Sequence, residues 1–138
     1  MAPPRCYSID DSRFPLVVVT ARGEIPFDEF QQYLVDIERI IRRGRQAHVL
    51  DFREAKVPSS EVRRGKAEWF KKHRELMAEN VAGTAVVFTS PLFRFMLSSI
   101  MLIVPIPVPF STHGQLEDGL AWSTRQLDKR WGIKTTAG

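Results

Sequence analysis

Disulfide chemistry within the chain is excluded by counting, because Cys6 is the only cysteine among 138 residues. The opening stretch MAPPRCYSIDDSRF has no apolar run behind a basic start, so it does not read as a signal peptide. A lone cysteine and no such leader predict a reducing, cytoplasmic setting. The longest mostly apolar stretch, Phe93 to Val104, is interrupted only by Arg94, Ser98 and Ser99 and is ended by Pro105, Pro107 and Pro109. It stops short of the roughly 20 residues that a bilayer span needs. The eight glycines are scattered as turn and cap residues and form no phosphate-cradling loop. His48, His73 and His113 lie far apart and near no Cys or carboxylate cluster, so no metal-ligand spacing arises. His48 and Asp51, three apart in a strand, face opposite sides and cannot act as a pair. These absences predict a protein that is not an enzyme and carries no cofactor.

A net charge of +4 and a pI near 9.6 admit an anionic partner without demanding one. No base-reading module accompanies the charge, which argues against nucleic acid.

What is present is an alternation of strands and helices. Tyr7 to Asp10 predicts a short strand, with a turn at 10–12. FPLVVVTARG, 14 to 23, predicts a strand apolar on both faces from Leu16 to Val19, hence inside a sheet. Phe27, Phe30, Leu34, Ile37 and Ile41 recur at helical spacing, with Pro26 at the start and Gly44 at the stop. QAHVLDF, 46 to 52, predicts a strand. Residues 59–80 predict one long helix with Val62, Trp69, Phe70, Leu76 and Met77 inward. GTAVVFTS, 83 to 90, predicts a core strand, and 91–104 a third helix. VPF near 108–110 predicts a last strand, placed at an edge by its prolines. GQLEDGLAWSTRQLDKRW predicts a final helix, with Thr112 and Gln115 as a capping box. The whole predicts one α/β domain over residues 5–133 with a mixed sheet of about five strands and about four helices. Residues 1–4 and 134–138 are expected to be flexible termini.

The stretch VLDFREAKVPSSEVRRGKAEWF concentrates the candidate chemistry. Asp51 ends a strand where α/β sheets place functional loops. Ser59 or Ser60 can cap the helix that follows, and Glu61 suits its first turn. A phosphate on either serine would meet free N–H groups at the helix start, with Arg53, Arg63 and Arg64 able to pair with it. Capping and phosphorylation both remain open on these residues.

Two helices carry further signals. The second is rich in Arg63, Arg64, Lys66, Lys71, Lys72, His73 and Arg74, interleaved with glutamates. This pattern suits a solvated face or a docking face for an acidic partner. The third is apolar nearly all round, with Phe95, Met101 and Leu102 off the stripe of Leu92, Met96, Ile100 and Ile103. Such a helix packs in a homodimer or partner interface, walls an apolar ligand or lipid site, or is buried by its neighbours. Trp122 points away from the face of Leu116, Leu120, Leu127 and Trp131, so it is tucked against a flank or anchors a partner.

Asp51, Arg63, Trp69, the run Ala85-Val86-Val87-Phe88, Ser90-Pro91 and Ala121-Trp122, in this order of elements, carry a resemblance. The chain resembles the STAS domain, the fold of bacterial anti-sigma-factor antagonists, and more closely the SpoIIAA-like (STAS/SEC14-like) bacterial proteins. In the antagonists the serine that opens the helix is phosphorylated by a partner kinase and dephosphorylated by a phosphatase. Carried over, the resemblance implies Ser59 or Ser60 as the modified residue, although Glu61 stands where the antagonists usually have a glycine. It implies a non-enzymatic regulatory or scaffold domain working by protein–protein contact. The alternative, suggested by SEC14-like architecture, is a carrier or sensor of an apolar small molecule or lipid.

Overall fold

In the computed structural model of the protein, residues 6–103 and 106–135 are described, with the side chains of 99–103 outside that description. Their order is β1 (Tyr7–Arg13), β2 (Leu16–Gly23), α1 (Phe27–Ile41), β3 (Gln46–Ala55), α2 (Ser60–Lys72), α3 (Arg74–Asn80), β4 (Val81–Val87), α4 (Pro91–Ile103), β5 (Phe110–His113) and α5 (Leu116–Trp131). The five strands lie in the order β1-β2-β3-β4-β5. β1 runs antiparallel to β2, and the remaining pairs are parallel. The mixed α/β sheet expected from the sequence is present, with five helices where about four were expected.

Burial explains the strand sequences. Leu16 to Val19 and every residue of β4 are buried, because helices cover both faces of the sheet. One face packs Ile37 and Ile41 of α1, Met77 of α3 and Phe93 of α4 against Val19, Leu50 and Val86. On the other, α5 lays Leu120 and Leu127 on Leu16, Val18, Val49, Ala85 and Val87. α5 approaches closely because it turns small residues to the strands. A Cβ on Gly119 would stand 2.9 Å from Val87 Cγ2, and Ser123 Oγ donates to the His48 carbonyl at 3.1 Å.

Several boundaries differ from the sequence expectation. β3 does not end at Asp51 but runs on to Ala55, because Glu54 and Ala55 still pair with Arg22 and Gly23 of β2, and β4 spans Val81–Val87 in place of 83–90. β1 continues through 10–12 to Arg13; Asp10 accepts bonds from Ser12, and the register shift there absorbs the expected turn into the strand. The second helix divides at His73, whose ring stacks on Trp69 and reaches Glu38 of α1 at 2.6 Å. These contacts hold His73 off helical geometry, at φ −111° and ψ 21°. The last strand starts at Phe110, since Pro107 and Pro109 bring no N–H; Pro109 contributes only its carbonyl, to Thr84 N. It is at the sheet edge, as expected. α5 starts after Gln115 without a side-chain cap, and Thr112 is in β5. Among the described residues no helix is long and apolar enough to cross a membrane.

Polar side chains on the central strands are bonded inside the protein. Gln46 Nε2 donates to the carbonyls of Ile40 and Gly44, closing the end of α1. Its Oε1 faces His48 Nε2 at 2.7 Å, and burial pushes the His48 imidazole down to about 4. Unfolding returns that imidazole to its ordinary value near 6.5, so below this pH the unfolded chain takes up the proton first. Stability therefore falls as pH drops through the window from 6.5 toward 4.

Two measurements check this packing. Urea unfolding should show a loss of about 2 kcal/mol from His48 between pH 7 and pH 5, and His48→Gln should flatten that slope. Gly119→Ala should lower stability at neutral pH by about 1–3 kcal/mol, because the added methyl overpacks the α5–β4 contact.

Candidate functional site

β3 carries Asp51 and Arg53 two residues apart, so both project from one face of the strand. This is the face covered by α5, since Ala47 and Val49 of the same parity pack there. The guanidinium closes on the carboxylate with two bonds, Nε to Oδ1 at 2.9 Å and Nη2 to Oδ2 at 2.8 Å. Asp51 is buried at 8% exposure while Arg53 stays exposed. Hydrogen bonds from Arg53 hold the Asp51 carboxyl below the usual carboxylate range, against the opposing effect of burial. Asp51 is thus a charge already matched, and Arg53 is the part of the pair that a partner can reach.

After β3 the chain crosses the rim of the sheet and turns into α2. Ser59 is extended at φ −60° and ψ 160°, and its Oγ accepts from Val62 N at 3.2 Å. Its carbonyl takes the first helical bond, from Arg63 N at 3.0 Å. Arg63 Nη1 donates to the Pro58 carbonyl at 2.7 Å, which ties the loop to the helix. Ser60, the first helical residue, is exposed, as is Arg64. Of the two serines, the capping role falls to Ser59, and the accessible hydroxyl is that of Ser60.

The structure thus gathers Ser59, Ser60, Arg63 and Arg64 at one helix start. Asp51 and Arg53 lie on the α5 side of the sheet, whereas α2 packs on the opposite side, and among the described residues no hydrogen bond or ion pair joins the two groups. Phe95 is 72% exposed on α4, beside Leu92 at 66%. Leu92 was expected inward; instead Phe93 takes that place, its ring 5.3 Å from Phe88 and 5.5 Å from Phe52. The side chains of Met101 and Leu102 lie outside the described residues. Trp122 is half-buried over Gly83, where a Cβ would stand 2.8 Å from the indole, and its ring neighbours His113.

Sequence reasoning grouped Lys66 with the surface cations of the second helix. In the structure it lies on the inward side, in line with Val62 and Phe70 four residues away on either side. Its ammonium sits 5.4 Å from the Phe52 ring and 5.8 Å from that of Phe70. The signal was available, because a lysine on an apolar i, i+4, i+8 stripe is not on a solvated face. Thr84 was read only as part of a core strand, and its buried Oγ1 has no hydrogen-bond partner among the described residues.

No family model and no curated protein matches the chain. Among solved structures it is similar to an uncharacterised DUF3478-family protein with a SpoIIAA-like fold from Shewanella loihica PV-4. The TM-score is 0.65 at 14% identity, over 89% of this chain and 98% of that one. It is also similar to the anti-sigma factor antagonist SpoIIAA in its unphosphorylated form, with TM-score 0.57 at 15% identity over 84% and 96% of the two chains. An anti-sigma factor antagonist from Mycobacterium paratuberculosis gives TM-score 0.58 at 20% identity over 89% and 98%. At these identities the likeness is one of fold, and the fold is SpoIIAA-like, as the resemblance in the sequence implied.

The division of labour between the serines is measurable in thermal or urea unfolding. Ser59→Ala should cost about 1 kcal/mol through the lost cap. Ser60→Ala should stay within about 0.5 kcal/mol of the wild type.

Proposed function

We propose that the protein is a regulatory domain that works by docking another protein at the start of α2. The observation that carries this is the exposed Ser60 beside exposed Arg64, on a helix start whose cap is supplied by a different residue, Ser59. A phosphate on Ser60 would add about two negative charges beside Arg63 and Arg64 without removing the Ser59 cap. It would be received by the positive end of α2 and by the nearby arginines. Partner binding then responds to the charge and the fold does not. The fold shared with two anti-sigma factor antagonists supports a regulatory role by protein contact. In this reading the domain acts without catalysis, and the exposed Leu92 and Phe95 on α4 offer a second contact, to a partner or to another copy of the chain.

A second reading, carriage or sensing of an apolar small molecule, is favoured by the cavities lined by α2, α4 and the sheet.

The docking reading is tested by native mass spectrometry of the protein isolated gently from its own host. A protein partner of fixed stoichiometry is expected, with its retention changed at least tenfold by Ser60→Asp and by Arg64→Glu. Ser60→Asp should leave the fold intact, because an acid in the first helical turn suits the helix dipole. A partner held equally by wild type and both variants would move the contact off the α2 start, and no partner at all would sink the docking role.

A further inference from the structure

Two apolar cavities, of about 90 Å³ and about 70 Å³, lie on the helix-rich face of the sheet. They share Tyr33, Phe52, Pro58, Val62, Lys66 and Phe93 as lining, so Lys66 borders both. The first also reaches His48 and Thr84, which are paired across β3 and β4. Residues 52, 50 and 48 of β3 alternate onto this face, a run of about 13 Å along the strand. The cavity therefore passes from the Lys66 ammonium over apolar surface to an unpaired hydroxyl.

Lys66 is unusual in what surrounds it. Among the described residues it makes no ion pair and no hydrogen bond, and its contacts are the faces of Phe52 and Phe70. Desolvation alone lowers the ammonium to about 8, so it is still mostly charged at neutral pH. Lys66 is half-buried, with its ammonium end desolvated; such a cation without a counter-charge is destabilising, and a leucine or methionine would fill the position better. Arg63 also lines the first cavity, but its guanidinium is engaged by the Pro58 carbonyl. His48 on the same wall is held neutral by its burial. The cavity thus presents one unmatched positive charge in an apolar surround.

We propose that the cavities bind a compact apolar monocarboxylate, its carboxylate paired with Lys66 and its apolar body against Leu50, Val86 and Phe93. This rests on the small-molecule reading and gives it a ligand class. One unmatched cation suits one carboxylate, whereas a phosphate dianion would lack donors and a neutral ligand would leave the ammonium unpaired. Size restricts the ligand as well. A cavity of about 150 Å³ takes benzene, so each of these smaller spaces takes only a compact chain of about three or four carbons.

Titration calorimetry, followed in parallel by fluorescence of Trp69 in the cavity wall, provides the test. The probes are butanoate and 2-methylpropanoate, each set against its neutral alcohol. Wild-type protein should bind the acids at least tenfold more tightly than the alcohols. Lys66→Met should lose that preference while keeping the alcohols, and should melt no lower than wild type because it removes a desolvated charge. Thr84→Val, which keeps the lysine, should retain the preference for acids. Acids and alcohols bound equally by the wild type, or acids bound unchanged by Lys66→Met, would overturn the carboxylate assignment and leave small-molecule carriage standing. Saturable binding of none of the four probes would overturn both.

Discussion

The parallel pairing of β3 with β4, with helices on both faces, is the constraint from which the other features follow. Burial on both sides leaves no solvent to satisfy a polar side chain, so each one on these strands must find a partner within the protein. Gln46 does so by closing the end of α1 and holding His48. Asp51 does so through the two bonds from Arg53. Thr84 does not, among the described residues, and it lines a cavity beside His48.

The two faces of this pair are covered by different means, with different consequences. α5 packs alone and close, through Gly119 and Ser123 against small strand residues, and fills its side densely. The opposite face is shared by α1, α2, α3 and α4, whose large side chains meet over the sheet. Four helices converging at different angles leave gaps between bulky side chains more readily than one helix lying flush, and both cavities open there. The rim site and the cavities are thus joined by α2, whose first turn carries Ser60 and whose fourth residue after Val62 is Lys66.

That linkage gives the two functional readings a common mechanical element. Pro58 and Val62 line the cavities and also frame the capped start of α2. A ligand seated at Lys66 and a protein docked at Ser60 would therefore each contact the same helix. Coupling between them requires that α2 have two arrangements differing in free energy for ligand and partner.

Much of the fold was legible in the sequence. The apolar run at Leu16–Val19, the stripe of Phe30, Ile37 and Ile41, and the prolines before β5 depend on local periodicity and backbone chemistry, and they specified strand, helix and edge. Ser59 and Ser60 were equally visible as a helix start, because capping is a local interaction. The residues 62, 66 and 70 already placed Lys66 on an apolar stripe, but the density of neighbouring charge concealed it. Other decisions needed the assembled protein. Which serine caps and whether Asp51 is free turn on short-range side-chain choices, Ser59 with Val62 and Asp51 with Arg53, that the residue types leave open. The inward side of α4, by contrast, turns on contacts with distant segments. The break at His73 required Glu38 of α1, and the seat of Trp122 required Gly83 of β4. Local patterning determined the elements and their order; the assembled packing decided which polar groups were matched and which, like Lys66 and Thr84, have no polar partner among the described residues.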